Sequence, residues 1–132
     1  MKLLIANGYV IDPAQQVNTG GRSLLIEDGR VVGLVERGEP VPEQAHVIDA
    51  TGLIVAPGFI DMHTHLREPG QEYKETVASG VASAVAGGFT AVVCMLNTVS
   101  VNDNVGVTQY IFWKVVEANL ARVYLIGAVS CG

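Results

Sequence analysis

The chain has 132 residues, 49% hydrophobic and 16% charged, with a formal net charge of −5. This is a core-forming composition, well away from the disordered class, and net acidity without a Lys/Arg cluster excludes a nucleic-acid surface. No apolar run reaches the ~20 residues of a membrane span, and the short apolar N-terminus lacks a cleavage site, so a soluble cytoplasmic protein with no membrane partner is expected.

The first third reads as short β-strands. Leu3–Ala6 and Tyr9–Ile11 flank Asn7-Gly8, and Ser23–Glu27 and Arg30–Val35 flank Asp28-Gly29. Both dipeptides are hairpin signals, so a small antiparallel sheet is predicted. A loop with Pro40 and Pro42 and a strand at His46–Ile48 follow. Near Gly52 the character changes. Leu53–Met62 is apolar, broken only by Pro57-Gly58. Glu75–Ala86 reads as a helix closed by Gly87-Gly88, Phe89–Met95 as a buried strand, Val105–Leu120 as a helix and Arg122–Val129 as a strand. The order β, α, β, α, β predicts an α/β fold with a parallel sheet and covering helices. Cys94 and Cys131 have no CxxC spacing and read as buried or free thiols.

The chemistry is concentrated in Pro57-Gly-Phe-Ile-Asp-Met-His-Thr-His-Leu-Arg-Glu-Pro-Gly70. Strand alternation puts Asp61, His63 and His65 on one face, with same-face neighbours ~7 Å apart. Two imidazoles at that spacing can converge on one metal ion at ~2.0 Å. A lone H-x-H often only ends a strand at the surface. Here it closes an apolar run and precedes Arg67 and a Pro69-Gly70 turn, the context of a catalytic strand end in a βα-barrel.

D-x-H-x-H-L-R-E-P-G at residues 61–70 resembles the signature of the dihydroorotases, within the amidohydrolase superfamily. Gly-Leu-Ile-Val-Ala-Pro-Gly before it, and Asn97-Thr98 with Val101-Asn102-Asp103 after it, extend the resemblance over essentially the whole chain. The resemblance implies residues 1–52 as the N-terminal part of a small β-sandwich. It implies residues 53–132 as about the first three strands of a (β/α)8 TIM-type barrel. His63 and His65 would be zinc ligands, and Arg67 and Asn97 would bind the substrate, with His65 also touching it. A planar bidentate guanidinium suits a carboxylate. Asp61 would orient a ligand from behind, or would simply cap the strand end. Hydantoinases and allantoinases share H-x-H but usually lack this arginine. The implied reaction is reversible hydrolysis of dihydroorotate to N-carbamoyl-L-aspartate in pyrimidine synthesis. One or two zinc ions would activate water, and a carboxylate beyond this sequence would be the base.

Measured against that family, the sequence looks like an N-terminal portion that stops before the site is complete. The bridging carboxylated lysine or aspartate, two further histidines and a final aspartate are expected later, and His46 reads as a surface residue. Leu96, Ser100 and Leu125 stand where proline is expected, and Cys131 where lysine or arginine is usual. Each change fits a C-to-T substitution and a prematurely stopped reading frame, or ordinary divergence and truncation. The chain by itself is therefore expected to be inactive, binding zinc weakly and self-associating through uncovered apolar strands. An aspartate carbamoyltransferase partner, known for complete relatives, is a further implication. The alternative functions are a non-catalytic remnant or interaction fragment, and a hydantoinase- or allantoinase-type cyclic amidase.

Overall fold

The computed structural model describes residues 1–36 and 38–130, so Cys131 lies outside the described residues. The chain divides into two compact units, Met1–Pro57 and Gly58 onward.

The first unit contains β1 (Lys2–Ala6), β2 (Tyr9–Asp12), β3 (Val17–Thr19), β4 (Ser23–Glu27), β5 (Arg30–Val35), β6 (Ala45–Asp49) and β7 (Ile54–Val55). They form two sheets, β5-β4-β1-β6 and β3-β2-β7. The Asp28-Gly29 hairpin is present: both residues are left-handed, with φ 48° and 77°, and Glu27 pairs with Arg30. Two positive φ values are what a two-residue turn matched to strand twist requires.

Asn7-Gly8 does not make a hairpin. β1 runs parallel to β6 in one sheet, and β2 runs parallel to β7 in the other. Two segments thus cross between sheets side by side, and the sheets are mixed rather than purely antiparallel. Asn7 does take the left-handed conformation, φ 64°, but the bend serves the change of sheet. Its amide donates to Asp49 Oδ1 at 3.1 Å, and the same oxygen accepts from the Thr51 hydroxyl and backbone N–H. A Cβ on Gly8 would lie 2.5 Å from Val55 Cγ2, so glycine is what permits the close crossing. Long-range parallel pairing outweighs the local turn preference here. An apolar cavity of about 730 Å³ is lined from both sheets, by Ile5, Leu24, Ile26 and Leu34 and by Val10 and Val55.

The second unit runs β8 (Phe59–Thr64), α1 (Val77–Ala86), β9 (Phe89–Cys94), α2 (Val105–Ala118) and β10 (Arg122–Leu125). The strands form a parallel sheet in the order β10-β9-β8, as the alternation of patterns predicts. α1 begins at Val77 rather than Glu75 because Thr76 caps it. The Thr76 hydroxyl accepts the Ser79 N–H and the Ser79 hydroxyl accepts the Thr76 N–H, each at 3.1 Å. α2 is capped by Asn104 and ends at Asn119, which turns left-handed with φ 45°. β10 stops at Leu125, short of Val129. Beyond it the Ile126 N–H bonds to Cys94 O at 3.0 Å and the Ala128 N–H to Asn102 O at 2.8 Å.

Leu66, Val77, Val81, Cys94 and Ile111 form the buried cluster, with Val107, Tyr110, Val115, Val123 and Leu125 against it. Other apolar groups stay exposed: Phe59, Ile60 and Met62 on β8, and Phe112, Trp113 and Val116 on α2. No helix among the described residues is long and apolar enough to cross a membrane.

Candidate metal and substrate site

β8 is irregular where its polar residues begin. Asp61 faces Val92 and Thr64 faces Cys94, so three steps on β8 match two on β9, a β-bulge. The bulge interrupts the simple alternation of residues 61, 63 and 65. Asp61 and His65 line a cleft of about 270 Å³ against α1, and His63 is not among its lining residues. Asp61 Oδ1 accepts the backbone N–H of His63 at 2.9 Å, and this bond holds its carboxyl below the ordinary value. The carboxylate's hydrogen bond thus runs to the backbone of His63, within the bulge, and its charge also acts on the His63 ring.

The two rings nonetheless meet. The centroids of His63 and His65 are 5.1 Å apart with their planes at 61°. His65 lies just past the end of β8, and its Nδ1 is 2.7 Å from Asn97 Oδ1 in the loop after β9. His63, His65 and Asn97 are thus brought together from two strand ends. Two imidazoles this close are able to offer two nitrogen ligands to one metal ion. Among the described residues no group of three or more His, Cys, Asp or Glu could hold a metal, so they supply only part of the three-ligand shell usual for catalytic zinc.

Arg67 and Asn97 are displayed in the same way. Arg67 sits at the centre of a three-residue turn closed by Glu68 N–H to Leu66 O at 2.8 Å, with φ 65°. A γ-turn with positive φ is rare and strained. Asn97 is the centre of a turn closed by Thr98 N–H to Leu96 O at 2.9 Å. The Arg67 guanidinium makes no ion pair among the described residues.

Buried polar groups hold these turns. Glu68 is 6% exposed. Its Oε2 accepts the N–H of Val77, the first residue of α1, at 2.8 Å, and its Oε1 accepts the Tyr110 hydroxyl of α2 at 2.8 Å. A carboxylate at a helix N-terminus also meets the positive end of the helix dipole. The bond to Glu68 pushes the Tyr110 hydroxyl above its ordinary pKa. Next along the chain, Pro69 O accepts the Val99 N–H at 2.9 Å. Gly70 has φ 93°, and a Cβ there would lie 1.9 Å from Val99 O, so the two loops touch backbone to backbone. Asn102, 2% exposed, donates to Ile126 O at 3.0 Å and accepts from the Thr108 hydroxyl at 2.6 Å. Glu68–Pro69 and Val99–Ser100 are cis peptides.

Sequence reasoning missed Glu68, Tyr110 and Thr108. Tyr110 reads as one more apolar position on a helix, and the partners of Glu68 lie 9 and 42 residues away in sequence. Cys94 is a free thiol in the core, pushed up in pKa by burial, and His46 is exposed on β6.

The amidohydrolase family model matches residues 46–107. The chain is 49% identical over 130 residues to the dihydroorotase of Syntrophus aciditrophicus and 55% identical over 130 residues to that of Anaeromyxobacter dehalogenans. Each match covers 98% of this chain and 30% of the relative. Among solved structures, the dihydropyrimidinase of Brevibacillus agri superposes with TM-score 0.79 at 28% identity, covering 100% of this chain and 28% of that one. The D-hydantoinase of a Thermus species gives TM-score 0.71 at 30% identity, covering 97% and 28%. The resemblance to dihydroorotases first read from residues 61–70 thus extends along the whole chain, which spans about 30% of the length of those relatives.

Proposed function

We propose that this chain is part of a dihydroorotase, a zinc-dependent enzyme hydrolysing dihydroorotate reversibly to N-carbamoyl-L-aspartate in de novo pyrimidine synthesis in the cytoplasm. The observation that carries the reading is the convergence of His63, His65 and Asn97 beside the turn that presents Arg67, in a chain about half identical to dihydroorotases. In this reading the first unit is part of a β-sandwich, and the second supplies the opening β/α units of a TIM-type barrel with the site at its mouth.

His63 and His65 would hold zinc through their neutral ring nitrogens. When bound, the metal would lower the pKa of a water to about 7 and polarise the ring carbonyl. Arg67 grips the substrate carboxylate with two parallel N–H donors, and its strained turn fixes their direction. The Asn97 amide keeps its N–H donors for the substrate while its oxygen faces His65. The general base and remaining ligands belong to the rest of the enzyme, so the 132 residues alone bind zinc weakly and do not turn over substrate. The exposed Phe59, Ile60 and Met62 are then surfaces through which the isolated chain self-associates.

The test is a chimera in which residues 1–130 replace the matching segment of the Anaeromyxobacter dehalogenans relative. Zinc-loaded chimera should hydrolyse dihydroorotate. Arg67→Gln should raise KM by about 10–100-fold, the worth of a charge-assisted pair at about 1.5–3 kcal/mol. The hydantoinase-like solved structures favour one competitor, a cyclic amidase acting on rings without the carboxylate. Turnover of such a ring but not of dihydroorotate, indifferent to Arg67→Gln, would establish that competitor instead.

A further inference from the structure

Asn97 touches the ring of His65 rather than lying free in its loop. We infer that Asn97 is a positioning residue that selects the tautomer of His65, an inference that rests on the metal-site reading above. Its Oδ1 stands 2.7 Å from His65 Nδ1. An amide oxygen can only accept, so Nδ1 carries the proton and Nε2 is left with the lone pair. A neutral imidazole ligates a metal only through its unprotonated nitrogen, so the choice decides whether, and in which direction, His65 can bind.

The backbone that carries the amide is held on both sides. Leu96 and Thr98 close the turn around it. The Thr98 hydroxyl bonds to Ser100 O at 2.6 Å, and the Val99 N–H is tied to Pro69 O of the neighbouring loop. The loop carrying Asn97 is therefore fastened to the loop that follows His65. His63 is different. No hydrogen bond to its ring is found among the described residues; the ring packs against His65 and feels the charge of Asp61. One ligand is thus oriented by the protein, and the other is left to take its orientation from the metal.

Asn97 flipped by 180° would instead put its NH₂ against Nδ1. Nε2 would then be protonated and His65 unable to ligate in that form. The two arrangements differ in one measurable proton. In the ¹⁵N-labelled chain, above the ordinary imidazole pKa of about 6.5, long-range ¹H–¹⁵N correlations report which ring nitrogen is protonated. His65 should be the Nδ1–H tautomer in the wild type and in Asn97→Asp, which keeps the acceptor. Asn97→Ala should lose that tautomer while the His63 signals stay in place. A wild-type His65 that is Nε2–H or an unselected mixture, or a tautomer indifferent to Asn97→Ala, overturns the inference.

Zinc titration separates this from the reading beneath it. Asn97→Ala should weaken zinc binding by about 10–100-fold, the usual cost of losing an outer partner, and Asn97→Asp should restore it. The Nδ1–H tautomer in a chain that takes up no zinc would keep the positioning role and end the metal-site reading. Zinc uptake with the wrong tautomer would do the reverse.

Discussion

The two units satisfy their buried and polar groups in different ways. In Met1–Pro57 the buried apolar residues are Leu4, Val10 and Ala50, and the side-chain bonds around Asn7, Asp49 and Thr51 are exposed. From Gly58 onward Leu66, Val77, Val81, Val92, Cys94 and Ile111 are almost wholly buried, and so are the polar residues Glu68, Thr98 and Asn102. Those three lie in the loops that follow β8 and β9, next to Arg67 and Asn97. A buried polar group is costly unless partnered, and each of these is partnered. Dense apolar packing holds the helices, and satisfied buried polar groups hold the loops that display the site. Among the described residues, the first unit has sheets without that second device.

Four measurements would break or sharpen this contrast, all by urea denaturation followed by circular dichroism. The largest effect belongs to the cluster. Leu66→Ala should cost about 2–5 kcal/mol, whereas Val31→Ala, at an exposed position on β5, should stay within about 0.5 kcal/mol. Equal costs would erase the distinction. Next is the polar support. Tyr110→Phe removes a hydrogen bond to a charged group and should cost about 1.5–3 kcal/mol, and a negligible change would mean that the Glu68 carboxylate is held without it. Thr76→Ala, which opens the capping box of α1, should cost about 1 kcal/mol, with Thr76→Ser recovering most of it. The smallest is a pH effect in the first unit. The Thr51 hydroxyl, then the Asn7 amide and the Thr51 N–H, hold the Asp49 carboxyl below its ordinary 3.8. A depressed carboxyl stabilises the fold above its unfolded value and loses that contribution as pH falls through the folded one. Wild-type stability should therefore drop below about pH 4 more than that of Asp49→Asn, and parallel curves would show the exposed network to be idle.

What could be read from sequence depended on how locally each feature is determined. The Asp28-Gly29 hairpin needs only its own two left-handed residues, and it formed where expected. Asn7-Gly8 carries the same signal with equal strength, yet its strands separate into two sheets because β6 and β7, some forty residues on, pair with them. The helices were legible from period and closing residues; α1 starts two residues later than read, behind its cap at Thr76, while α2 starts at Val105 as read and ends earlier, at Ala118. The meeting of His63 and His65 was legible from spacing, although the bulge between Asp61 and Thr64 means that alternation is not the whole reason. A bulge leaves no mark in a strand that reads Phe-Ile-Asp-Met-His-Thr. The contact of Asn97 with His65 joins residues 32 apart and has no local signature.

Glu68 finds its two partners 9 and 42 residues later in the chain. Before α1 has begun at Val77 and α2 has brought Tyr110 into place, the carboxylate has only water to bind, and nothing stops the neighbouring arginine from sampling other backbone conformations. The turn that presents Arg67 is therefore braced on both sides only when α1 and α2 are in place. On the function proposed above, a carboxylate ligand gripping Arg67 would in turn favour the docked form of α2, so that the binding of a small anion and the seating of a helix would become one equilibrium.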